Sequence, residues 1–391
     1  MQTGIFSFFS GVGFLDLGFE LAGQNVLLAS EISPEFMRGY IYARNHLNMP
    51  LPYYGCYSEE QGDVRNILEN RNLHLSDLIK DTRQFIDVIG FIGGAPCPDF
   101  SIGGKNKGRE GDQGKLTSAY IELICQHLPD FFLFENVEGL WRTKRHRAFF
   151  EEIKLQLIQS GYVLTERLIN TLEYGVPQDR NRIILIGFKN TILNDLNISF
   201  DEEAYISEGE FPWNIFTNYS KNNIFSYPWP RSNPFNEGSE LLCPKNIVQE
   251  LTVEHWFRKN DVLNHPNSLH SFIPRQGLTK MLLIEEGDDS RKSFKRLHRW
   301  RYSPTVCYGN NEVHLHPYKA RRISVAEALS LQSAPKGFVL PENMTLTDMF
   351  KTIGNGVPCL AAQGIAMTII KFLKDAQPNN RGFISKTLLR L

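Results

Sequence analysis

The chain has 391 residues and a net charge of −1, with 42% hydrophobic and 22% charged residues. These values are ordinary for a globular protein of one large or two moderate domains, and the near-neutral charge gives no overall indication of a nucleic-acid partner. The apolar runs are shorter than the roughly 18 residues of a membrane span, and the N-terminus lacks the charged region of a signal peptide, so we expect neither a membrane segment nor secretion.

The first half of the chain alternates strand-like and helical patterns. Near-continuous apolar runs predict buried parallel strands at 4–9, 25–30, 85–92, 130–135, 162–168 and 182–188. The stretches between them predict helices at 13–22, 35–46, 117–127 and 147–159. This alternation predicts an α/β fold with a doubly wound, mostly parallel sheet, which binds ligands at the carboxyl ends of its strands.

The alternation stops after about residue 190. Residues 190–300 are rich in Trp, Pro and Asn and predict a smaller, irregular second domain. The segment 321–333 predicts a helix with Ser324 as N-cap and Glu327 at capping-box spacing. The segment 351–373 ends in an apolar helix that we expect to pack back on the sheet. We therefore expect one domain made of 1–189 plus 349–391, and a second domain with hinge at 190–348.

A glycine turn follows the first predicted strand, in FFSGVGFLDLGFE at 8–20. Gly11 and Gly13 would let a ligand approach the backbone at the positive end of a helix dipole. Glu31, at the end of the second strand run, can accept both hydroxyls of a ribose. The spacing departs from GxGxxG, so the turn indicates a nucleoside cofactor without separating NAD from S-adenosylmethionine; the alternative is a tight turn with a surface glutamate.

Asp63 either caps a short helix, the commoner case, or accepts from an adenine amino group.

Cys97 lies between two prolines in GGAPCPDFS, just after the apolar run 85–92. The six cysteines include no CxxC pair or zinc spacing, which favours a reducing environment and no metal. The prolines and the Gly93–Gly94 pair favour a nucleophile held at a strand end over an unreactive small residue. The stretch 101–116 contains five glycines and four Lys or Arg, which predicts a mobile basic lid or, alternatively, a simple disordered loop.

Two further motifs carry polar side chains at strand ends. Glu135 ends the run 130–135, so its carboxyl group would share the crevice of Cys97 and could donate a proton; the alternative is a glutamate near a helix start. In QDRNR, Gln178, Arg180 and Arg182 alternate, so we expect them to project to one face and to need acidic or carbonyl partners, unless they form a solvated strand edge.

Two basic runs interrupt the even charge distribution. Residues 291–301 contain six Lys or Arg, and residues 142–147 contain four. Such runs are more often solvated faces, although a patch of one sign can bind phosphates.

Six blocks of the chain, in order, resemble those of the DNA cytosine-5 methyltransferases: FSGVG, GGAPCPDFS, ENV, QDRNR, RRISVAEALSLQ and TIGNGVP. They span nearly the whole chain, with a variable stretch between the fourth and the fifth. The resemblance implies an S-adenosylmethionine-dependent α/β domain and a small target-recognition domain. It also implies methyl transfer to carbon 5 of a cytosine flipped out of a specific double-stranded DNA sequence, with the run 291–301 on the backbone phosphates.

The resemblance implies roles for individual residues near the base. Cys97 would attack carbon 6 of the cytosine, Glu135 would hold and protonate ring nitrogen 3, and Arg182 would contact the carbonyl oxygen. Three more residues would position the base and support the pocket: Asn136, Arg180 and Gln178.

The resemblance also implies which residues line the S-adenosylmethionine site. They are Phe9, Gly11, Val12, Gly13, Glu31, Ile32, Asp63, Val64 and Asn355. The sequence departs from the family at Pro98, where Gln is common, and at Ile32, where an aromatic residue is common beside the adenine. Neither departure removes a catalytic group.

Three alternatives fit the sequence less well. A tRNA cytosine-5 methyltransferase of the same fold usually carries a Cys-Phe-Thr tripeptide, where this chain has TVCYGN. A catalytically inactive DNA-binding relative would not need Cys97, Glu135 and Arg182 together. A nicotinamide oxidoreductase explains only the glycine turn.

A chain of this size resembles the bacterial and archaeal restriction–modification methylases, so we expect a cytoplasmic enzyme on DNA, a cognate restriction endonuclease, and no metal or membrane.

Overall fold

A computed structural model describes residues 1–71, 73–95, 112–207, 209–274, 277–291, 293–306, 308 and 312–375, without the side chains of 112, 113 and 145. Within these residues, the predicted fold class is confirmed. The alternating runs of the first half form a sheet with helices on both faces.

Seven strands form the main sheet in the order β3-β2-β1-β4-β5-β8-β6. Their bounds are β1 Thr3–Phe8, β2 Asn25–Ser30, β3 Cys56–Tyr57, β4 Val88–Gly93, β5 Phe131–Val137, β6 Tyr162–Asn170 and β8 Asn181–Lys189. The predicted parallel direction is wrong for one strand, because β8 runs antiparallel to both β5 and β6. A buried strand has the same apolar pattern in either direction, so the sequence does not show this.

The helices of the first half are α1 Phe14–Leu21, α2 Pro34–His46, α3 Glu59–Gly62, α4 Val64–Leu68, α5 Leu75–Thr82, α6 Asp112–His127, α7 Glu138–Arg142, α8 Lys144–Gln159 and α9 Asn190–Asp195. Side chains of β5 alternate between the two faces. Phe131 and Leu133 join a core cluster with α1, whereas Phe132 and Phe134 join another with α6 and α8. This two-sided burial explains why the strand sequences are apolar throughout.

The second half contains shorter elements: β7 Gln178–Asp179, α10 Lys221–Ser226, α11 Val253–Lys259, α12 Leu278–Leu282, β9 Ser303–Pro304, α13 Val325–Leu331, α14 Leu346–Asn355 and α15 Cys359–Asp375. β7 precedes β8 and pairs with β9. The predicted capping box on α13 is confirmed, with Ser324 and Glu327 each accepting the other's backbone N–H.

The apolar helix α15 packs back on the sheet, as expected, with Phe372 against Phe188 of β8, and it also packs on α1. Gly18 of α1 is the third glycine of the FFSGVGFLDLGFE motif. A Cβ added to it would lie 2.3 Å from the Cβ of Ala362, so this glycine allows α1 and α15 to pack closely. The stretch 346–375 is long and apolar enough to cross a membrane, but 67% of its most apolar window is buried in the protein, which is consistent with a soluble protein. A further core cluster joins Val12 and Phe14 to Leu297 and Ile323. The boundaries between the two predicted domains stay a prediction.

Candidate active site

The carboxyl edge of the sheet collects most of the predicted site residues. β1, β2, β4 and β5 are parallel, so the residues that follow each of them lie at one edge. Because β8 is antiparallel, its first residues rather than its last lie at this edge, and Arg182 is paired there with Val137. The reversed strand therefore delivers an arginine beside the end of β5.

Glu135 and Arg182 form a buried ion pair at this edge. Glu135 lies opposite Ile184, two residues from Arg182, so the two side chains are diagonal neighbours on one face. Arg182 Nε lies 2.8 Å from Glu135 Oε1, and the side chains are 11% and 7% exposed. Arg182 also donates from its guanidinium to the carbonyl oxygen of Asn181 at 2.7 Å. These contacts hold the carboxylate in one place with little solvent around it.

The absence of a side chain at Gly94 leaves the space that the Glu135 carboxylate occupies. A Cβ built on Gly94 would lie 2.6 Å from Glu135 Oε2. Neither Gly93 nor Gly94 is among the positive-φ residues, so unusual backbone angles do not explain this glycine pair. Gly94 is required instead by the close approach of Glu135.

The predicted nucleophile, Cys97, lies outside the described residues, which stop at Ala95 and resume at 112. The predicted lid also lies outside them as far as 111, and 112–116 belong to α6. Four other cysteines are described: Cys56, Cys125, Cys243 and Cys359. Burial raises the pKa of each of these thiols, that of Cys56 to about 12, so each is a poor source of thiolate.

Gln178 and Arg180 contact backbone groups of the protein. The Gln178 side-chain amide donates to Leu331 O at 3.1 Å, and its oxygen accepts from Val306 N at 3.2 Å. Arg180 is 1% exposed and donates to the carbonyl oxygens of Val306, Gly354 and Gly356. The predicted acidic or carbonyl partners are therefore present: Gln178 and Arg180 donate to carbonyl oxygens, whereas Arg182 pairs with the carboxylate of Glu135.

Asn136 is fully buried at the end of β5, and its Oδ1 accepts from Val137 N at 2.9 Å. The side chain therefore orders the strand end that carries Glu135.

The glycine turn and Glu31 form one hydrogen-bonded unit. Gly11 and Gly13 have φ values of 56° and 89°, and Phe9 is also in the left-handed region. Gly11 N donates to Glu31 Oε2 at 3.0 Å, and Ser33 N donates to Glu31 Oε1 at 2.9 Å. Burial raises the pKa of Glu31, which is 8% exposed, while these two N–H groups oppose the shift. The turn thus holds a carboxylate at the edge of β2.

Asp63 caps α4 and accepts from Arg65 through both carboxylate oxygens. The commoner of its two predicted roles is therefore present. The other predicted members of the cofactor site range from buried to exposed: Val12 and Val64 are 3% and 2% exposed, Ile32 is 46% exposed, and Asn355 ends α14 on the surface.

Sequence reasoning missed a buried polar network under the glycine turn. Asp16 of α1 accepts from Ser7 Oγ at 2.5 Å and from Tyr40 Oη at 2.9 Å. A Cβ on Gly13 would lie 2.6 Å from the Tyr40 ring, so the network supports the turn directly. Burial raises the pKa of Asp16 to about 6, against the hydrogen bond from Ser7. In the sequence, this network is indicated only by Asp16, a charged residue among apolar neighbours in the predicted helix.

Three arginines of the basic run 291–301 contact other parts of the protein instead of forming the expected phosphate-binding face. Arg296 is fully buried and donates to backbone carbonyl oxygens, including Ile284 O at 2.8 Å. Arg299 is 4% exposed and forms a two-pronged ion pair with Glu286. Arg301 donates to Gly287 O and Asp289. These arginines hold the second half of the chain together.

The basic run 142–147, by contrast, lies on α7 and α8 directly after β5. Arg142, Lys144 and Arg147 are exposed, with Arg142 paired to Glu138 at 2.7 Å. Arg147 lies over the Trp141 ring, 5.0 Å from its centroid. Within the described residues, no group of three or more His, Cys, Asp or Glu could hold a metal ion.

Comparison with known proteins decides the family. The family model described as C-5 cytosine-specific DNA methylase matches residues 3–371. The chain belongs to this family. The methylase therefore acts on carbon 5 of cytosine in DNA, as predicted, and the enzyme class and the fold expectation are confirmed.

Individual relatives agree with this assignment. The methylase is 52% identical over 375 residues to the Type II methyltransferase M.NmeDI of Neisseria meningitidis serogroup C, covering 96% of this chain and 85% of that protein. It is 28% identical to the Type II methyltransferase M.MthTI of Methanothermobacter thermautotrophicus, covering 96% and 99%. In fold it is similar to the S. pombe Dnmt2 methyltransferase, with a TM-score of 0.53 at 13% identity, covering 96% and 99% of the two chains.

Proposed function

We propose that the methylase flips its target cytosine out of double-stranded DNA into a pocket beside Glu135 and Arg182, where Cys97 attacks carbon 6. The buried ion pair of Glu135 and Arg182, next to Gly94, is the observation that supports this most. Gly94 precedes Cys97 by only three positions in the sequence. A base stacked inside a duplex cannot reach the edge of this sheet, so it has to leave the helix.

The residues proposed here match the chemistry that carbon-5 methylation needs. Carbon 5 of cytosine is a weak nucleophile until the Cys97 thiolate adds to carbon 6 and turns the ring into an enamine. A proton from Glu135 at ring nitrogen 3 neutralises the negative charge that develops there, so this interaction is strongest in the transition state. When bound, S-adenosylmethionine supplies the methyl group that carbon 5 takes up. Loss of the carbon-5 proton, departure of the Cys97 thiolate and return of the nitrogen-3 proton to Glu135 then restore the aromatic ring.

The neighbouring residues position this pocket. A guanidinium has five N–H donors, so Arg182 can hold Glu135 and also donate to the carbonyl oxygen of the base. Gln178 and Arg180 act through the backbone segments that they bind around Val306 and Gly354, which keeps β7 and the start of β8 in place. Asn136 acts in the same way at the end of β5.

The residues at the glycine turn fit S-adenosylmethionine. Gly11 and Gly13 leave the backbone open at the N-terminus of α1, which has no side-chain cap. Each Glu31 oxygen accepts one backbone N–H and retains acceptor capacity for a ribose hydroxyl. The exposed side chain of Ile32 offers an apolar surface to an adenine ring, with Asp63 for its amino group. The other members of the proposed site are Phe9, Val12, Val64 and Asn355.

We assign phosphate contacts to the basic run 142–147 instead of 291–301. It begins five residues after Val137 at the end of β5, and its described Lys and Arg side chains are exposed, whereas Arg296 and Arg299 are buried. Residues 190–348 would then read base edges as a target-recognition domain, leaving 1–189 plus 349–391 as the catalytic domain.

We propose that the methylase belongs to a restriction–modification system with a cognate endonuclease and works in the cytoplasm on chromosomal DNA. The relatives named as Type II methyltransferases support this.

Bisulfite sequencing of DNA from cells that express the chain tests the proposed function. We expect cytosines protected at one recurring sequence with the wild type and with Cys56→Ser, and no protection with Cys97→Ser. Cys97→Ser should still bind the same DNA. Protection that survives in Cys97→Ser would overturn the nucleophile, and protection of tRNA instead of DNA would favour the alternative substrate.

A further inference from the structure

Asn181, the first residue of β8, connects three neighbouring elements through its side-chain amide. Its Oδ1 accepts from Asn170 Nδ2 at 2.9 Å, at the end of β6, and from Lys221 Nζ at 3.2 Å, at the start of α10. Its Nδ2 donates to Glu138 Oε2 at 3.3 Å, at the start of α7. Both lone pairs of the amide oxygen are therefore in use, which fixes the position of this side chain.

The backbone of Asn181 is part of the proposed cytosine pocket. Its carbonyl oxygen accepts from the Arg182 guanidinium at 2.7 Å, and Arg182 Nε lies 2.8 Å from Glu135 Oε1. Three consecutive contacts therefore lead from Lys221 to Glu135. Because Lys221 lies beyond residue 190, they connect the second half of the chain to the pocket.

Lys221 is the cation at this rim that can still take an anion. It is partly exposed and borders an open groove of about 510 Å³ together with Arg167. Arg167 is paired with Glu173 at 2.9 Å and also donates to Asn214, so its charge is compensated. Among the described residues, Lys221 forms no ion pair with a carboxylate, and it uses one of its three N–H donors on Asn181. Its charge and its other donors remain for a ligand.

A flipped cytosine brings an anion to this place. Base, sugar and phosphate belong to one nucleotide, so a cytosine held by Glu135 and Arg182 has its own phosphates near the rim of the pocket. Asn181 lies at that rim, because the first residues of β8 are at the carboxyl edge of the sheet. Lys and Arg side chains are the usual partners of DNA phosphates, and such contacts fix the position of the duplex.

We propose that the Lys221 ammonium binds a DNA backbone phosphate at the rim of the cytosine pocket, and that Asn181 couples this contact to the position of Arg182. This inference rests on the proposed pocket at Glu135 and Arg182. Lys221 is then a DNA-binding residue outside both basic runs. Asn181 is a positioning residue, which acts on the base only through Arg182.

Anisotropy titrations at several salt concentrations test the phosphate contact, with a labelled duplex that contains the sequence protected in bisulfite sequencing. Lys221→Ala should reduce the slope of log Kd against log salt concentration by about 1, as for loss of one phosphate contact, whereas Lys221→Arg keeps the charge and should keep the slope. Lys189→Ala is the matched control, because Lys189 is similarly exposed and ends the same strand at the opposite edge of the sheet. An unchanged slope in Lys221→Ala, or an equal change in Lys189→Ala, would overturn the phosphate contact.

Single-turnover methylation of the same duplex at saturating DNA tests the coupling. Asn181→Ala should lower the rate about 3- to 10-fold, the range for one lost hydrogen bond, and should keep the wild-type salt slope. Lys221→Ala should lower the rate by a similar factor. The double variant should be no slower than Asn181→Ala, because both changes break the same contact.

Three results separate the coupling from a structural role and from the proposed function. Melting curves show whether Asn181→Ala is folded, and Lys221→Ala, which changes only a partly exposed side chain, tests the same contact if it is not. A wild-type rate in Lys221→Ala, or losses that multiply in the double variant, would overturn the coupling. A wild-type rate in Glu135→Gln would contradict the cytosine pocket itself, and with it the proposed function.

Discussion

Replacement of Gly94 by Ala tests how closely catalysis depends on the position of Glu135. The added methyl carbon would lie 2.6 Å from Glu135 Oε2, about 0.8 Å inside ordinary van der Waals contact at 3.4 Å. Arg182 holds the other carboxylate oxygen at 2.8 Å, so the carboxylate must move against this ion pair or the Gly94 backbone must shift. A misplacement of about 1 Å can lower a rate by about a hundredfold. We therefore expect kcat to fall by about 10- to 100-fold, equivalent to about 1.4–2.7 kcal/mol in the barrier.

The rate should be measured under single-turnover conditions, with labelled S-adenosylmethionine and saturating DNA. Gly23→Ala is the control, because a Cβ there meets no atom within 4 Å although φ is 82°. It should lower the melting temperature with little change in rate. In a Glu135→Gln background, the further effect of Gly94→Ala should shrink, because no proton donor remains to be misplaced. A folded Gly94→Ala enzyme with an unchanged rate would refute the close coupling of Gly94 and Glu135.

Three further predictions concern the ion pair, the buried aspartate and the basic run. Arg182→Ala should lower the free energy of unfolding by about 3–5 kcal/mol in denaturant titrations, because Glu135 is left as a buried carboxylate without its cation. The contribution of Asp16 to stability should fall as the pH rises from about 4 through about 6, where Asp16 ionises in the folded state, and Asp16→Asn should make the pH slope in melts across that range less negative. Joint replacement of Arg142 and Lys144 by Ala should reduce the slope of log Kd for DNA against log salt concentration by about 2 in anisotropy titrations, with little change in sequence preference.

Each of these predictions has a result that contradicts it. A stability loss below about 1 kcal/mol in Arg182→Ala would mean that the pair is as weak as a surface ion pair. A pH slope that is unchanged in Asp16→Asn would place the titrating group elsewhere, for example at Glu20 or Glu31, whose pKa values burial also raises. Joint replacement of Lys80 and Lys189, which lie near the opposite edge of the sheet, is the control for the basic run. An equal change of slope with that control would show a general charge effect.

Six of the seven strands of the main sheet were predictable because they are buried on both faces, and their apolar runs match the observed bounds within about three residues. The short, half-buried β3 has no apolar run and was not predicted. The direction of β8 was not predictable either, since burial selects apolar residues whichever way a strand runs. That direction matters for the site, because an antiparallel β8 brings its beginning, and with it Arg182, to the edge that Glu135 occupies. The motifs predicted that Glu135 and Arg182 share one site, and the sheet explains why these two side chains meet.

Partners distant in sequence were the hardest to predict. The run 291–301 has the composition of a phosphate-binding patch, yet Glu286 and backbone carbonyl oxygens satisfy Arg299 and Arg296. Gly94 was predicted only as part of a glycine pair before Cys97, whereas in the structure its missing side chain leaves space for Glu135, which lies 41 positions away. Charge and glycine content are local properties, but burial and close approach depend on the whole fold.

Trapping on modified DNA shows whether Cys97 adds to carbon 6 before methyl transfer. DNA with 5-fluorocytosine at the methylated position should yield a covalent complex that survives denaturation and depends on S-adenosylmethionine, because the fluorine cannot leave as a proton does. Peptide mapping should place the link on Cys97, and Cys97→Ser should form no complex. Two results would contradict the addition of Cys97 to carbon 6. One is a wild-type enzyme that methylates ordinary DNA at this site but forms no complex with the fluorinated DNA, and the other is a covalent link on another residue.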